Sequence, residues 1–189
     1  MRNRATAGKT IRCAAVLACW LICASRLSAE AIPEYEVKAA FLFNFSKYVE
    51  WPERAFSGTA DRILICVLGE NPFGPFLAEL VKEKKVNGRE LAVEERSVSA
   101  TAGCHIVFIA ASERRLGEIV GRLANRPVLT VSDGASVADQ GAVIGLTMND
   151  NRVRFEVNLI AARRAGLKLS SQLLKVAIRL IGETERGAR

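Results

Sequence analysis

The chain is poor in the residues that most active centres need. His105 is its only histidine. There is no H-E-x-x-H pattern and no C-x-x-C, so a zinc centre or a thioredoxin-like redox site lacks its ligands. No G-x-S-x-G elbow is present to present a nucleophilic serine. Low-complexity linkers, long charge blocks and internal repeats are also missing. The longest apolar run, Cys13 to Ala24, is only about 12 residues. A bilayer-spanning helix needs roughly 20. Finally, there is no acidic residue before Glu30.

That last absence gives the N-terminus its meaning. Arg2, Arg4, Lys9 and Arg12 precede the apolar run, and the small residues Ser28, Ala29 and Ala31 follow it. This is the order of a cleaved export signal, with the cut after Ala29 or Ala31. Residues 1–29 therefore read as the signal and 30–189 as one exported domain. A retained membrane anchor is the alternative, disfavoured by the shortness of the run. A lipoprotein signal at Val16-Leu17-Ala18-Cys19 is another, disfavoured because Trp20-Leu21-Ile22-Cys23 continues the apolar run.

Export changes the charge and the cysteine count. Residues 1–29 hold five of the 27 basic residues and none of the 20 acidic ones. The remainder has 22 basic and 20 acidic residues, a net +2. The basic character thus belongs largely to the signal and is no argument for a nucleic-acid partner. Cys13, Cys19 and Cys23 leave with the signal; Cys66 and Cys104 remain. In an oxidising compartment a remaining pair is expected to be bridged, the alternative being two buried thiols on strands.

Hydrophobic patterning predicts alternating helices and strands. A helix is expected over 34–49, after Pro33, with Val37, Phe41, Phe45 and Tyr48 on one face and Trp51-Pro52 ending it. Residues 62–68 (RILICVL) and 104–110 (CHIVFIA) read as buried strands. A second helix is expected from Phe73 to about Lys84, ending near Asn87-Gly88, followed by a half-exposed strand over 90–96. Ser112 is the expected cap of a helix carrying Leu116, Ile119, Val120 and Leu123. A short strand over 128–132 leads to an Asp133-Gly134 turn. Strands over 142–148 and 152–158 flank Asn149-Asp150-Asn151, a hairpin signal. A helix near 159–165 ends at Gly166. The last helix begins at Ser170, with Leu173, Leu174, Ala177, Ile178 and Ile181 as its buried stripe. The whole predicts a single α/β domain with a mixed sheet covered by helices.

Candidate sites are few. His105 follows Cys104 on a strand, so the two side chains point to opposite faces and cannot easily share a metal or form a nucleophile pair. A satisfied or solvated histidine is the expectation. Gly69-Glu-Asn-Pro-Phe-Gly74 joins a strand to a helix, a common place for a ligand, with Asn71 and Phe73 as the candidates. It lacks the Gly-Lys-Ser/Thr of a phosphate loop; a well-formed turn is the alternative. On the strand over 152–158, Arg152, Arg154, Glu156 and Asn158 share one face, a row suited to charge-assisted contacts. Arg163 and Arg164 follow. A solvated hairpin face is the alternative there. Of the aromatic set Phe41, Phe43, Phe45, Tyr48 and Trp51, only Phe43 lies off the core stripe. No catalytic residue, metal ligand or cofactor is assigned.

Two segments carry a family resemblance. Tyr35 to Pro52 (YEVKAAFLFNFSKYVEWP) and Val153 to Leu174 (VRFEVNLIAARRAGLKLSSQLL) resemble the opening and closing signatures of the YfiR family. Gly69 to Gly74 lies where that family has its first strand-to-helix loop. The resemblance runs from about residue 34 to 182. It implies an α/β periplasmic regulator that binds the periplasmic sensor domain of an inner-membrane diguanylate cyclase, represses cyclic-di-GMP synthesis and so limits biofilm and exopolysaccharide. It also implies a tendency to form homodimers and a disulfide matching Cys66 and Cys104. Some members have a further bridge nearer the C-terminus, for which this chain has no cysteines. The competing expectation is a periplasmic small-ligand-binding module feeding a sensor or transporter, with an unknown small-molecule modulator. An enzyme is the third, lacking a convergent catalytic set.

Overall fold

The computed structural model describes residues 33–57 and 62–182; the export signal read over 1–29 lies outside them. Ten strands and five α-helices succeed one another along the described chain. Helix α1 (Glu34–Tyr48) leads into β1 (Val49–Glu50). Next come β2 (Arg62–Leu68), α2 (Phe76–Val81), β3 (Lys85–Val86), β4 (Arg89–Arg96) and β5 (Ile106–Ile109). Helix α3 (Leu116–Leu123), β6 (Leu129–Asp133), β7 (Ile144–Asn149) and β8 (Arg152–Asn158) follow. The chain ends in α4 (Leu159–Arg164), β9 (Lys168–Leu169), α5 (Ser171–Val176) and β10 (Arg179–Ile181).

Eight strands form one mixed sheet in the order β10-β8-β7-β6-β5-β2-β4-β3. The five strands β7, β6, β5, β2 and β4 are mutually parallel. Strand β8 turns back against β7, β10 runs parallel to β8, and β3 is antiparallel to β4. The expected mixed sheet covered by helices is therefore present. Its central strands are buried on both faces, which is why RILICVL reads as a continuous apolar run rather than an alternation. One face packs Ile63, Ile65, Val67, Phe108 and Phe155 under α1 and α2; the other packs Leu64, Leu68, Val107 and Ile109 under α3. On that second face Cys66 and Cys104 form a disulfide, with Cα atoms 5.9 Å apart.

Tight turns fix the register at both ends of the sheet. Asp150 and Asn151 both adopt positive φ between β7 and β8, the conformation a two-residue hairpin requires and one that Asn and Asp tolerate. Asn87 and Gly88 do the same between β3 and β4. That pair therefore closes a β-hairpin instead of ending a helix.

Other local expectations are corrected in the same way. The second helix covers only Phe76–Val81, because Asn71 Oδ1 accepts the Phe73 N–H and holds 71–74 as a turn. Ser112 does not cap α3: its hydroxyl accepts the Glu70 N–H, and α3 starts four residues later with no side-chain cap. The last helix stops at Val176. Ala177 is extended, the Ile178 N–H donates to the Phe155 carbonyl, and residues 179–181 add a strand to the open edge of β8. The Val-Ala-Ile-Arg-Leu-Ile stretch is rich in branched residues and satisfies its backbone better in the sheet than in a longer helix. Strand β9 pairs with β1 in a separate two-stranded ribbon.

Candidate functional site

The outer face of β8 is where the sequence places its most distinctive polar row. Val153, Phe155 and Val157 point into the core, and Arg152, Arg154 and Glu156 point away from it. Arg152 and Arg154 are exposed, and their side chains make no ion pair or hydrogen bond among the described residues. Glu156 is bound by Arg179 of β10 at 2.6 Å, and the same guanidinium forks onto Asp139 at 2.5 and 2.9 Å. This two-carboxylate grip lowers the Asp139 pKa and raises that of Arg179, so both stay charged throughout the physiological range. Asn158 ends the row differently. It is buried; its Oδ1 caps α4 by accepting the Ala161 N–H, and its Nδ2 donates to the Ala138 carbonyl. Arg163 is exposed on α4 and donates to the Gly182 carbonyl.

The Gly69–Gly74 loop is not brought together with this face. Asn71 donates to the Gly74 carbonyl and to Glu95, while Phe73 is buried against Tyr35 and Phe108. Both residues are engaged in holding the loop. Phe41 and Phe45 stack and wedge against Phe155; Phe43 lies under the Lys47 ammonium, 4.0 Å from its ring centre. The aromatic set is core and its margin.

Three further features lie outside the polar row, and two of them, Lys38 and a groove, escape the sequence reading. Lys38 of α1 is 1 % exposed yet charged: it donates to Asp133 at 2.7 Å and to Glu34, and sits over the Tyr35 ring. Burial alone would lower its pKa, but the two carboxylates outweigh it and the pKa is raised. Tyr35 also donates to Asp133, and burial together with that carboxylate raises its phenol pKa. The cluster ties α1 to the carboxyl end of β6. A lysine in a helix otherwise rich in apolar residues was the signal available for it.

His105 is the second. It is buried, its Nδ1 accepts the Leu64 N–H, and it stacks on Phe56 with ring centres 4.6 Å apart. Trp51 donates to its carbonyl. Its Nε2 has no aligned acceptor. Burial lowers its pKa; the adjoining Ala55 backbone opposes that and the Arg89 charge adds to it. The histidine is a core residue, and it does not meet Cys104, which is in the disulfide.

The third is a groove of about 370 Å³ between α3 and α4, lined by Gly117, Val120, Gly121, Thr130, Asn158 and Arg164 among others. Among the described residues no group of three or more His, Cys, Asp and Glu side chains could hold a metal ion. No helix there is long and apolar enough to cross a membrane.

The sequence matches the YfiR/HmsC-like family over residues 35–178, which takes in α1, the whole parallel sheet, the β7–β8 hairpin and α4. The chain belongs to the YfiR/HmsC-like family. Among solved structures it is similar in fold to an ABC domain in complex with L-Trp from Streptococcus pneumonia. That match has a TM-score of 0.50 and 10% identity, and covers 68% of this chain and 58% of that one. A conserved domain protein from Vibrio cholerae O1 biovar El Tor matches at a TM-score of 0.47 and 13% identity, with the same coverage. The chain thus spans less than two thirds of either solved protein. At 10% identity the first likeness concerns the fold alone. In this YfiR/HmsC-like chain the polar β8 face lies beside a short edge strand, β10.

Proposed function

We propose that this chain is an exported, non-enzymatic regulator. It binds the periplasmic domain of an inner-membrane signalling protein, a diguanylate cyclase, and represses cyclic-di-GMP synthesis, limiting biofilm and exopolysaccharide. The observation that carries this reading is the family match, which spans nearly all of the described domain and contains both signature segments. The exposed face formed by Arg152, Arg154 and Glu156, with Arg163 on the next helix, supports it as a contact surface. Asn158 supports that surface from within, as framework, whereas Asn71 and Phe73 hold the separate Gly69–Gly74 loop. The disulfide suits an oxidising compartment, and the cleaved signal at 1–29 would deliver the chain there.

Deleting the gene in its host should raise cellular cyclic-di-GMP and biofilm mass, and the exported protein should co-purify with a membrane cyclase. Unchanged cyclic-di-GMP together with no cyclase in the purified complex would sink the reading.

A second reading, a small-molecule modulator bound by the same domain, is favoured by the groove between α3 and α4. Its volume falls in the range of small-ligand pockets. A thermal-shift screen of amino acids, nucleotides and cofactors should then find a stabilising compound. A screen with no shift argues against it.

A further inference from the structure

The cations of the eight-stranded sheet are neutralised nearly everywhere. Arg62 and Arg96 share Glu94, Lys85 faces Glu90, and Arg179 holds both Glu156 and Asp139. Arg89 lies over the Phe56 ring. Arg152 and Arg154 are the exceptions. Their partners across the hairpin are Asn149 and Thr147, neither of them acidic. Asp150, at the hairpin tip, pairs with neither arginine.

The register shows where these two arginines stand. Strand β6 pairs with β7 only as far as Leu146, and β10 pairs with β8 only from Glu156 onward, with one more bond at Phe155. Residues 147–154 therefore continue past both neighbouring strands as a two-stranded arm. At the other end of the same face the loop after β6 closes over the sheet: a Cβ on Gly145 would meet Val137 at 2.8 Å. The arm's face carries Thr147, Asn149, Arg152 and Arg154, and no part of the described chain neutralises it.

We infer that this projecting β7–β8 arm is the docking element and that its occupant is an acidic segment of the partner protein, bearing two carboxylates about 7 Å apart to match alternate residues of a strand. Two guanidiniums at that spacing can each take a carboxylate in a forked, charge-assisted pair. The inference rests on the proposed function for the identity of the partner, and goes beyond it in naming the element and the chemistry. A membrane surface is the less fitting occupant. Polybasic lipid-binding segments use roughly four to eight cations, and this arm offers two on a nearly neutral domain.

The experiment has two arms. In the host, a chromosomal R152E/R154E variant is compared with wild type and with the deletion. A K175E variant on α5 serves as a charge control, and periplasmic level and melting temperature are checked for each. The expected result is cyclic-di-GMP at the deletion level for R152E/R154E and at the wild-type level for K175E. If the deletion derepresses while the folded double variant represses fully, the inference is overturned and the proposed function stands.

In vitro, the exported protein is titrated with an acetyl-(Glu-Ser)4-amide peptide, its lysine counterpart, and phosphatidylglycerol vesicles, followed by backbone NMR. The acidic peptide should shift the amide signals of residues 147–154. Affinity should fall about tenfold or more in R152E/R154E and in about 1 M salt, where the screening length is about 3 Å. If the deletion is silent, the proposed function fails and this arm alone decides the inference. Absence of shifts, shifts elsewhere, or binding to vesicles but not to the peptide overturns it.

Discussion

Lys38, the Cys66–Cys104 bridge and His105 each hold a different part of the fold and can be tested separately. Lys38 is held by Asp133 and Glu34 in a nearly solvent-free setting. Removing one partner of a buried pair leaves an uncompensated charge, so Lys38→Ala should cost about 3–5 kcal/mol in a chemical-denaturation experiment. A loss below about 1 kcal/mol would mean the pair is effectively solvated. The Cys66–Cys104 bridge closes a loop with a sequence separation of 38 residues. Its removal in a Cys66→Ser/Cys104→Ser variant should cost roughly 2–4 kcal/mol and lower Tm by several degrees. His105 has a pKa depressed by burial. Above about pH 6.5 it is neutral in both folded and unfolded chains and does not affect stability. As pH falls below that value the unfolded chain gains a proton that the folded one refuses, so stability declines, by at most about 1.4 kcal/mol per pH unit. Melting temperatures at pH 7.5 and pH 5 should therefore diverge more for the wild type than for His105→Gln; equal divergence would contradict the assignment.

At the scale of elements, what was legible in the sequence were the parts fixed by local chemistry. Pro33 and Trp51-Pro52 bracket α1, and RILICVL is a buried strand because both of its faces are covered. Asn149-Asp150-Asn151 tolerates the positive φ of a tight hairpin. What escaped depended on distant partners. The spacing of Leu173, Leu174 and Ala177 suits a helix, but the open edge of β8 draws 179–181 into the sheet. Ser112 has the side chain of a cap, yet the Glu70 N–H reaches it first. Lys38 sits on the buried line of α1, a placement that only Asp133, 95 residues away, explains. The β8 row was visible as alternation, but its division into two free arginines, a neutralised glutamate and a buried cap was not. That cap joins β8 to α4 and to the loop after β6. Asn158→Ala should cost about 1–3 kcal/mol, because it forfeits the cap and the side-chain bond to the Ala138 carbonyl, which keeps only the Gly141 N–H. A change within about 0.5 kcal/mol would show that water replaces both bonds.

At the scale of the whole molecule, one nearly neutral domain is pinned by a disulfide on one sheet face and a buried ion-pair cluster at the carboxyl edge. The arm that outruns its neighbouring strands presents two exposed arginines with no ionic partner among the described residues. A scaffold that offers such a charged surface suits the proposed regulator, which would act by occupying a partner. Under the proposed function this surface restrains a cyclase, and intracellular cyclic-di-GMP measured in the host with and without the gene is the decisive test. Deletion should raise cyclic-di-GMP clearly, and the exported wild-type protein should reverse the rise. The same cyclic-di-GMP level in both strains, under conditions where the protein is made and exported, would rule out repression by this chain.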